Sequence, residues 1–483
     1  MDGLATTADG EANLIAGDEL GFLAAYFATL KTIGWDGVGI TREAFGRGEA
    51  EAFAFVERLA QSLGCTVATD AAGSLRAWID GASDGAALVI GSHLDSVPQG
   101  GNFDGAAGIA AGLLVLARYR RQAIVPPVPL ELIVLRCEES AWFDRAYVGS
   151  LALWGGLQQK DLERRHRTSR RTLGECLAEL GADVDAITAG RRLRDPGSIR
   201  AFFEVHIEQG PVMVARHFPM APVTGIRGNR RYPKNRIIGS PGHSGAVPRW
   251  LRHDTVFAFG ELITGLDDHW KALLEQGIDL VVTAGVVQTN ADEHGMTRIP
   301  GELTFSLEFR SQSEATLDSF ATLVRAECEA IGQRRGVRFE LDDPLNSSPA
   351  TLDPWLQNLL TASAATLAVP TEPLPSGAGH DAAVFANAGV PAAMLFVRNE
   401  NGSHNPDEQM ELNDLLSAVD VLHHALSTTP WADPVPDPET AINGPDIACC
   451  VQGRLGMHKR SDMQSPARSS VTSRSLTLKE TKK

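Results

Sequence analysis

Cysteine is scarce in this chain of 483 residues, and none of its six cysteines forms a CxxC pair. The pattern excludes a disulfide framework and favours buried or idle reduced thiols at Cys65, Cys137, Cys176, Cys328, Cys449 and Cys450. Long apolar runs are also missing, since no stretch approaches the roughly 20 residues of a membrane-spanning helix. The first residues, MDGLATTADGEANL, lack the basic stretch and apolar core of a signal peptide. We therefore predict a cytoplasmic protein.

Positive charge is in deficit, because 44 Lys and Arg residues stand against 60 Asp and Glu residues, for a formal net charge of −16. An acidic surface argues against nucleic acid or an anionic membrane as a partner, although a site for a small substrate can still be locally positive. Hydrophobic residues make up 43% and charged residues 22%, as in ordinary globular proteins. The length allows two to three domains, or one large domain with an insertion.

Short apolar runs alternate with helical patterns in the first half of the chain. AALVIGS (86–92), PLELIVLR (129–136) and FFEVHI (202–207) are typical of buried parallel strands, and each ends in polar residues. Between the first two, GAAGIAAGLLVLARYRR (105–121) predicts a helix rich in small residues that packs closely on a sheet. This order predicts an α/β fold whose functional residues lie at the carboxyl ends of strands.

The pattern changes near residue 225, where an amphipathic helix and alternating strands indicate a smaller α+β unit with an antiparallel sheet. The α/β pattern returns near residue 350. The last residues are rich in Pro, Asp, Ser and Thr and then become basic, which favours disorder and leaves a basic docking arm as the alternative. We predict a catalytic domain in two parts, at residues 1–224 and 341–430. Residues 225–340 between them form an inserted lid or dimerisation domain, and residues 431–483 form a disordered tail.

The strongest local pattern is GSHLDSVPQGGNFDGAAG (91–108). His93 and Asp95 follow a predicted buried strand, and Asp104 lies in a Gly-rich turn before a helix. Imidazole and carboxylate groups are ligands for a borderline divalent cation, and Asp95 is well spaced to orient the His93 imidazole. The alternative is that Asp104 caps a helix while His93 is buried without a function.

Adjacent glutamates follow the second buried strand in RCEESAWF (136–143). Neighbouring side chains at a strand end point in different directions, so one of Glu138 and Glu139 can bind a metal while the other acts as a general base. A solvated surface is the usual place for two adjacent acids, and that alternative stays open for this pair taken alone.

Two further strand ends offer histidines, His206 in FFEVHIEQGP and His404 in NGSHNPDEQM. A lone histidine is usually structural or solvated, but four strand ends that each carry a ligand type favour a shared site. The inserted unit adds His243 between glycines in PGHSGAVP, where the backbone can approach a ligand closely. It also adds Arg310 at the end of ELTFSLEFR and Asn229 in IRGNRR, and arginine is the usual bidentate partner of a carboxylate. For the neighbouring Arg230 and Arg231 a surface role is equally compatible with the pattern.

The motifs GSHLDSVPQGGNFDG, EES, HIEQGPV, PGHSG, RIPGELTFSLEFR, SGAGHDA and SHNPDE together resemble the M20-type metallohydrolases. HIEQGP and SGAGHD resemble the hydantoinase/carbamoylase branch, which contains N-carbamoyl-L-amino acid hydrolases, allantoate amidohydrolases and bacterial β-ureidopropionases. The similarity extends over residues 20–425. It implies an aminopeptidase-like catalytic domain with a mixed sheet between helices, plus an inserted α+β domain.

The resemblance also implies roles for individual residues. Two divalent ions per subunit, Zn or else Mn, Co or Ni, would be held by His93, Asp104, Glu139, His206 and His404, with Asp104 as the bridge and Asp95 behind the ligands. Glu138 would move the proton, and His243 would reach the active site of a partner subunit, which implies a homodimer joined through the inserted domain. The substrate would contact Asn229, Arg310, Gly377, Ala378, Gly379 and His380.

Several positions depart from the family pattern, among them Asn229, the Thr297-Arg298 pair and the bulky Arg249 and Trp250. These departures affect which substrate the site would accept, and they leave the predicted metal chemistry unchanged. We expect cleavage of the C–N bond of N-carbamoyl-L-amino acids. The alternatives are an allantoate amidohydrolase, a β-ureidopropionase, an N-acyl amino acid amidohydrolase or, in another class, an inactive metal-binding scaffold.

Overall fold

A computed structural model describes residues 7–431 of the chain. The predicted disordered tail therefore lies outside the described residues, except for its first residue. That residue, Trp431, is buried, and its ring packs edge-on against Phe203 and Trp355. In the described part of the chain, no helix is both long and apolar enough to cross a membrane. The cytoplasmic location stays a prediction.

The α-helices of this part of the chain are α1 (Thr7–Ala16), α2 (Glu19–Gly34), α3 (Arg47–Ser62), α4 (Ala106–Arg121), α5 (Val148–Leu153), α6 (Gln159–Leu162), α7 (Leu173–Glu179), α8 (Val184–Thr188), α9 (Val212–Arg216), α10 (Thr255–Glu275), α11 (Glu314–Arg335), α12 (Pro354–Thr366), α13 (Asp381–Asn387) and α14 (Leu412–Thr428). Local sequence sets several of their ends. The side chains of Asp254, Ser313 and Asp353 accept backbone N–H groups at the starts of α10, α11 and α12, and Gly336 ends α11 with a left-handed φ of 66°.

The strands are β1 (Thr66–Thr69), β2 (Leu75–Ile79), β3 (Ala87–His93), β4 (Leu130–Leu135), β5 (Ile199–Ile207), β6 (Met220–Ile226), β7 (Gly228–Ile238), β8 (Gly242–His243), β9 (Val281–Thr283), β10 (Val287–Thr289), β11 (Arg298–Ile299), β12 (Glu302–Ser311), β13 (Arg338–Glu340), β14 (Leu345–Ser347), β15 (Ala350–Thr351), β16 (Leu374–Ser376), β17 (Ala392–Val397), β18 (Asn399–Glu400) and β19 (Gln409–Met410).

The larger sheet has nine strands in the order β1-β2-β4-β3-β5-β17-β6-β15, with β16 beside β6. Its four central strands, β4, β3, β5 and β17, run parallel, and the strands on either side of them, β2 and β6, pair antiparallel. Successive side chains of these strands enter two different apolar clusters. Leu88 and Ile90 of β3 belong to the first cluster, whereas Val89 belongs to the second. Both faces of the sheet are therefore buried, as continuous apolar runs predict.

The smaller sheet has six strands, all antiparallel, with β7 and β12 at its centre. The buried side chains of this sheet pack with those of α10 and α11 in a third apolar cluster. The chain passes from the larger sheet to the smaller one between Ile226 and Gly228 and returns between Ser347 and Ala350. The predicted α/β class, with a mixed sheet between helices and an inserted α+β unit, is confirmed. The numbered domain boundaries stay a prediction.

No helix was predicted from the sequence at α1, α11 or α14, or at the short helices α5–α9 and α13. Helix α1 has Gly and Asp in its first turns, which weaken a helical pattern. Helices α5–α8 span four to seven residues each, too few for an apolar period to repeat.

Candidate metal centre

The carboxyl ends of β3, β4, β5 and β17 meet at one edge of the larger sheet. His93 is the last residue of β3, and His206 lies beside Phe396 of β17 in the sheet register. Glu138 and Glu139 follow β4, and His404 lies in the loop after β18. Because the four strands are parallel neighbours, these side chains are brought to the same place, although more than 300 residues separate the first from the last.

Asp104 lies at the middle of this cluster. Its Oδ1 atom is 3.2 Å from Nε2 of His206 and 3.4 Å from Nε2 of His93. Its Oδ2 atom is 3.5 Å from Nε2 of His404, which in turn is 3.1 Å from Oε1 of Glu139. The five predicted ligands thus form two groups that share one carboxylate, His93–Asp104–His206 and Asp104–Glu139–His404.

Asp104 is held from several sides. Oε1 of Glu408 accepts its backbone N–H at 3.2 Å, and its own Oδ2 accepts hydrogen bonds from Ser403 at 2.6 Å and Gln209 at 2.7 Å. Gly105, which follows it, has a left-handed φ of 65°, and a Cβ there would lie 2.5 Å from Nε2 of His93. Glycine is therefore required for the turn to pass so close to the imidazole.

Asp95 fixes the two glutamates through their backbone. Its Oδ1 accepts the N–H of Glu138 at 3.0 Å, and its Oδ2 accepts the N–H of Glu139 at 3.1 Å. Oδ1 also lies 3.4 Å from Nδ1 of His93, so one buried carboxylate connects the first two strand ends. The preceding Cys137 adopts a left-handed φ of 49°, and Glu49 of α3 accepts its N–H. The turn that aims Glu138 and Glu139 is thus held from both sides.

The electrostatics of the cluster favour cations. Burial raises the pKa of Glu138 well above its usual range, and the Glu139 and Asp381 carboxylates add to the rise. Burial alone would also raise the pKa of Asp104, but the nearby His206 and His93 imidazoles hold that pKa well below the usual range of a carboxyl group. The hydrogen bond to Glu139 raises the pKa of His404 to about 9. Carboxylates assembled in this way gain stability from a bound positive charge.

If the residues suit a metal, a potential ligand atom should lie in the cluster without a hydrogen-bond partner. Nε2 of His93 is fully buried and makes no hydrogen bond to any described residue, although such an atom normally has a partner. Its Nδ1 faces Asp95, so the free nitrogen is the one that faces Asp104. Imidazole nitrogens and carboxylate oxygens are the donor set of zinc and similar divalent ions, and the residues present are compatible with them.

One wall beside the cluster is the segment Gly377–His380. His380 is buried, its ring centroid is 4.5 Å from that of His206, and its Nε2 lies 2.9 Å from the Ser376 hydroxyl. Burial holds the pKa of His380 well below its usual range, which favours the neutral form of the ring. Across the cleft, Nη1 of Arg310 donates to the Gly377 carbonyl at 2.6 Å, which joins the smaller sheet to this wall.

The other residues predicted from the inserted unit lie on the smaller sheet and beside it. Asn229 is the cross-strand partner of Arg310 in the β7–β12 register, so the two are neighbours. His243 is exposed on the β8–β11 pair, and none of its contacts within the described residues reaches the metal-capable groups. Arg230 is buried and pairs with Glu314 and Asp318 of α11, whereas Arg231 is about half exposed and pairs with Glu308.

Sequence reasoning missed several polar groups around the cluster, among them Glu204, Asp381 and Tyr147 in addition to the groups that hold Asp104. Glu204 precedes His206 by two residues on the same strand face, its pKa is raised by burial to about 7, and it accepts the N–H of Ala382. Asp381 is fully buried and accepts from Ser150 at 2.5 Å. The hydroxyl of Tyr147 presses against Gly379, where a Cβ would overlap it. The alternation of β5 could have revealed Glu204, but no local pattern marks Tyr147.

Residues 89–428 match the model of one known family, described as peptidase family M20/M25/M40. The chain belongs to this family. An N-carbamoyl-L-amino acid amidohydrolase of Geobacillus stearothermophilus is 32% identical over 80% of this chain and 93% of its own length. An allantoate amidohydrolase of Escherichia coli strain K12 is 30% identical over 78% of this chain and 89% of its own length.

Solved structures give the same result. The crystal structure of an amidase of the hydantoinase/carbamoylase family from Burkholderia multivorans superposes with a TM-score of 0.76 at 27% identity, over 88% of this chain and 99% of that one. The predicted family is confirmed, and the chain is a hydrolase of C–N bonds other than peptide bonds. M20 proteins are generally metal-dependent, in agreement with the clustered metal-capable residues.

Proposed function

We propose that the protein uses two divalent ions to hydrolyse the ureido C–N bond of N-carbamoyl-L-amino acids. The observation that carries this proposal is the position of Asp104, whose two oxygens face two separate groups of metal-capable side chains. His93 and His206 would hold one ion, Glu139 and His404 would hold the other, and Asp104 would bridge them. Bound in this way, two divalent ions supply an acidified water molecule and polarise the scissile carbonyl.

Glu138 is the residue that moves the proton. It lies next to the ligand Glu139, but its carboxylate belongs to neither metal-capable group. One of its oxygens is 3.9 Å from Nε2 of His93, which places it at the edge of the cluster. Its raised pKa brings it closer to the range in which a carboxylate can accept a proton from water and return it to the leaving nitrogen. The amino acid leaves with that proton when the C–N bond breaks, and the carbamate that remains then loses carbon dioxide to give ammonia.

Arg310 and Asn229 support a substrate that carries a carboxylate. They lie side by side on the smaller sheet, and Arg310 already reaches the wall next to the cluster. A guanidinium suits a carboxylate because its N–H groups form a planar fork. The relatives named N-carbamoyl-L-amino acid amidohydrolases make that class the first choice. Allantoate is the second candidate because a relative of similar identity is named an allantoate amidohydrolase.

Ammonia release from a panel of N-carbamoyl-L-amino acids, their D-enantiomers, allantoate, β-ureidopropionate and N-acyl amino acids distinguishes these substrates. N-acyl amino acids release no ammonia, so their cleavage is followed by the free amino acid. We expect the highest kcat/KM on an N-carbamoyl-L-amino acid. A higher value on allantoate would transfer the assignment to the second candidate, and no turnover of any compound by metal-loaded protein would favour an inactive scaffold.

Truncation of Arg310 to Ala is expected to remove the preference for a free acid. Arg310 is partly exposed, so its loss should cost about 2 kcal/mol in kcat/KM, the lower end for an unpaired charge at an interface. The measurement compares N-carbamoyl amino acids with their methyl esters in wild type, Arg310→Ala and Arg310→Lys. Lysine should rescue only partly, because a point charge cannot reproduce the fork. Equal cleavage of acid and ester by the wild type would refute the carboxylate clamp.

We also propose that the protein is a homodimer in which His243 serves the partner's active site and stabilises the oxyanion. His243 is exposed, and the segment that follows it carries Trp250, 80% exposed, and Leu251, 53% exposed, next to Phe257 of α10, 59% exposed. Large exposed apolar residues grouped in this way are typical of an interaction surface. A site completed from the inserted unit of a second chain would bring His243 to metal-capable groups that none of its contacts within the described residues reaches.

Mixing two inactive variants tests the shared site. His243→Ala chains and Glu138→Gln chains should each be inactive, and their mixture should regain part of the activity because one of the two sites in a heterodimer has both groups intact. Subunit exchange is verified by mass spectrometry of differently tagged chains. Confirmed exchange without any recovered activity would contradict the proposal and leave the metal assignment unaffected.

A further inference from the structure

The guanidinium of Arg310 already has protein partners on two sides. Its Nε donates to Oε1 of Glu308 at 3.0 Å, and its Nη2 lies 2.9 Å from the same oxygen. Its Nη1 donates to the Gly377 carbonyl at 2.6 Å. A guanidinium has five N–H donors. Glu308 takes the edge formed by Nε and Nη2, and Gly377 takes one donor of Nη1, which leaves one N–H on each terminal nitrogen.

Glu308 is itself held in place from the next strand. It lies directly across from Arg231 in the β7–β12 register, and Nε of Arg231 donates to its Oε1 at 2.5 Å. Glu308 and Arg310 are two residues apart on β12, so both side chains project from the same face. The three groups form a row of cation, carboxylate and cation that ends at the Gly377 wall. Partial burial of Glu308, 26% exposed, protects the row from full solvent screening.

We propose that Glu308 is a positioning residue for substrate specificity: its carboxylate, anchored by Arg231, fixes the side edge of Arg310 so that the remaining N–H pair faces the substrate carboxylate. The inference rests on the proposed role of Arg310. An arginine side chain has several freely rotating bonds, and holding it in one orientation before binding removes an ordering cost from the binding step. Glu308 touches no reacting atom, so its contribution appears in binding of the acid and not in bond cleavage.

The same contacts of Glu308 are also compatible with an opposite role, in which it hinders substrate binding. Glu308 could be an internal substitute for the substrate carboxylate that must be displaced before binding. The geometry favours positioning, because Glu308 takes the side edge of the guanidinium and leaves a donor on each terminal nitrogen. The two roles predict opposite signs for one measurement, since removal of a competitor lowers KM for the acid whereas removal of a positioning group raises it.

The test measures kcat and KM of metal-loaded wild type, Glu308→Gln and Glu308→Asp on an N-carbamoyl amino acid and its neutral amide. Glu308→Gln should raise KM for the acid about 10-fold, the usual loss for a hydrogen bond to a charged group, and leave kcat within about twofold. KM for the amide should not change. Glu308→Asp keeps the charge and should recover part of the loss.

Glu302→Gln is the matched control. Glu302 lies on the same face of β12 and accepts from Arg236 of β7 at 2.7 Å, so the variant removes the same charge and the same kind of cross-strand ion pair. It is six residues from Glu308, roughly 20 Å along the strand, and should leave KM for the acid unchanged. Melting temperatures of both variants show whether either one merely unfolds the sheet.

A second readout checks that Glu308 acts through Arg310. In an Arg310→Ala background, Glu308→Gln should have no further effect on KM for the acid, since the group that it positions is gone. An unchanged or lowered KM for Glu308→Gln in the wild-type background overturns the inference. If the wild type itself does not distinguish acid from amide, the carboxylate clamp falls and Glu308 loses its role with it. If the wild type does distinguish them, a negative Glu308 result leaves the proposed function standing.

Discussion

Removal of metal from the purified protein should abolish hydrolysis, and Mn, Co, Ni or Zn should restore it. His93, His206 and His404 are three imidazoles gathered around Asp104. Without a divalent ion the site has neither an acidified water molecule nor a polarised carbonyl, so the residual rate should lie below detection. Elemental analysis of the native protein should give up to two ions per chain.

Histidine variants make the metal test specific. His404→Ala removes one donor of a single group and should lower metal content by up to one ion per chain, whereas Asp104→Ala should lower the occupancy of both sites. His423→Gln is the control, because His423 lies on α14, packs against Tyr119 and belongs to neither group. Full activity in a stripped sample that elemental analysis shows to be free of metal would eliminate the two-metal proposal.

Glu138→Gln should keep its metal and lose about 10²–10⁴-fold in kcat, the usual contribution of a positioned general base. Glutamine has the same shape but cannot accept a proton from water. Because burial raises the pKa of Glu138, a neutral amide in its place should leave the melting temperature near that of the wild type. The loss should therefore appear in kcat and in neither folding nor metal content.

Glu139→Gln is the natural comparison for Glu138→Gln, since the two residues are adjacent and Asp95 holds both backbone N–H groups. Loss of Glu139 should lower metal content, because its carboxylate contacts His404 and belongs to a metal-capable group. If Glu138→Gln turned over at the wild-type rate, or if it lost metal as Glu139→Gln should, the assignment of the proton shuttle would be wrong.

The sequence was most informative where a strand and a site coincide. His93 and His206 could be predicted because a fully buried parallel strand appears as an apolar run, and a polar residue at its end is conspicuous. The same reasoning predicted α4, whose Gly108 allows the helix to lie against β5, where a Cβ would be 2.2 Å from the Val205 carbonyl. Periodicity and composition were enough for these elements.

What the sequence could not show are contacts between residues far apart in the chain. Glu408 accepts the N–H groups of Phe103 and Asp104, some 300 residues away, and no local pattern reveals that pairing. The ion pair of Glu308 with Arg231 is of the same kind, because it depends on the register of β12 with β7, which no local pattern gives. Helices α5–α8 were missed because they are too short to show a period.

The position of β17 determines when the site can exist. This strand, at residues 392–397, lies in the middle of the larger sheet between β5 and β6, which end before residue 227. As the chain is synthesised, the edges of β5 and β6 that pair with β17 stay unpaired with it until the whole smaller sheet has been made. Such long-range pairing slows folding and leaves exposed strand edges, which chaperones protect from aggregation. The group Asp104–Glu139–His404 can therefore be completed only after the loop that follows β17 has been made, whereas every residue of the group His93–Asp104–His206 precedes the smaller sheet.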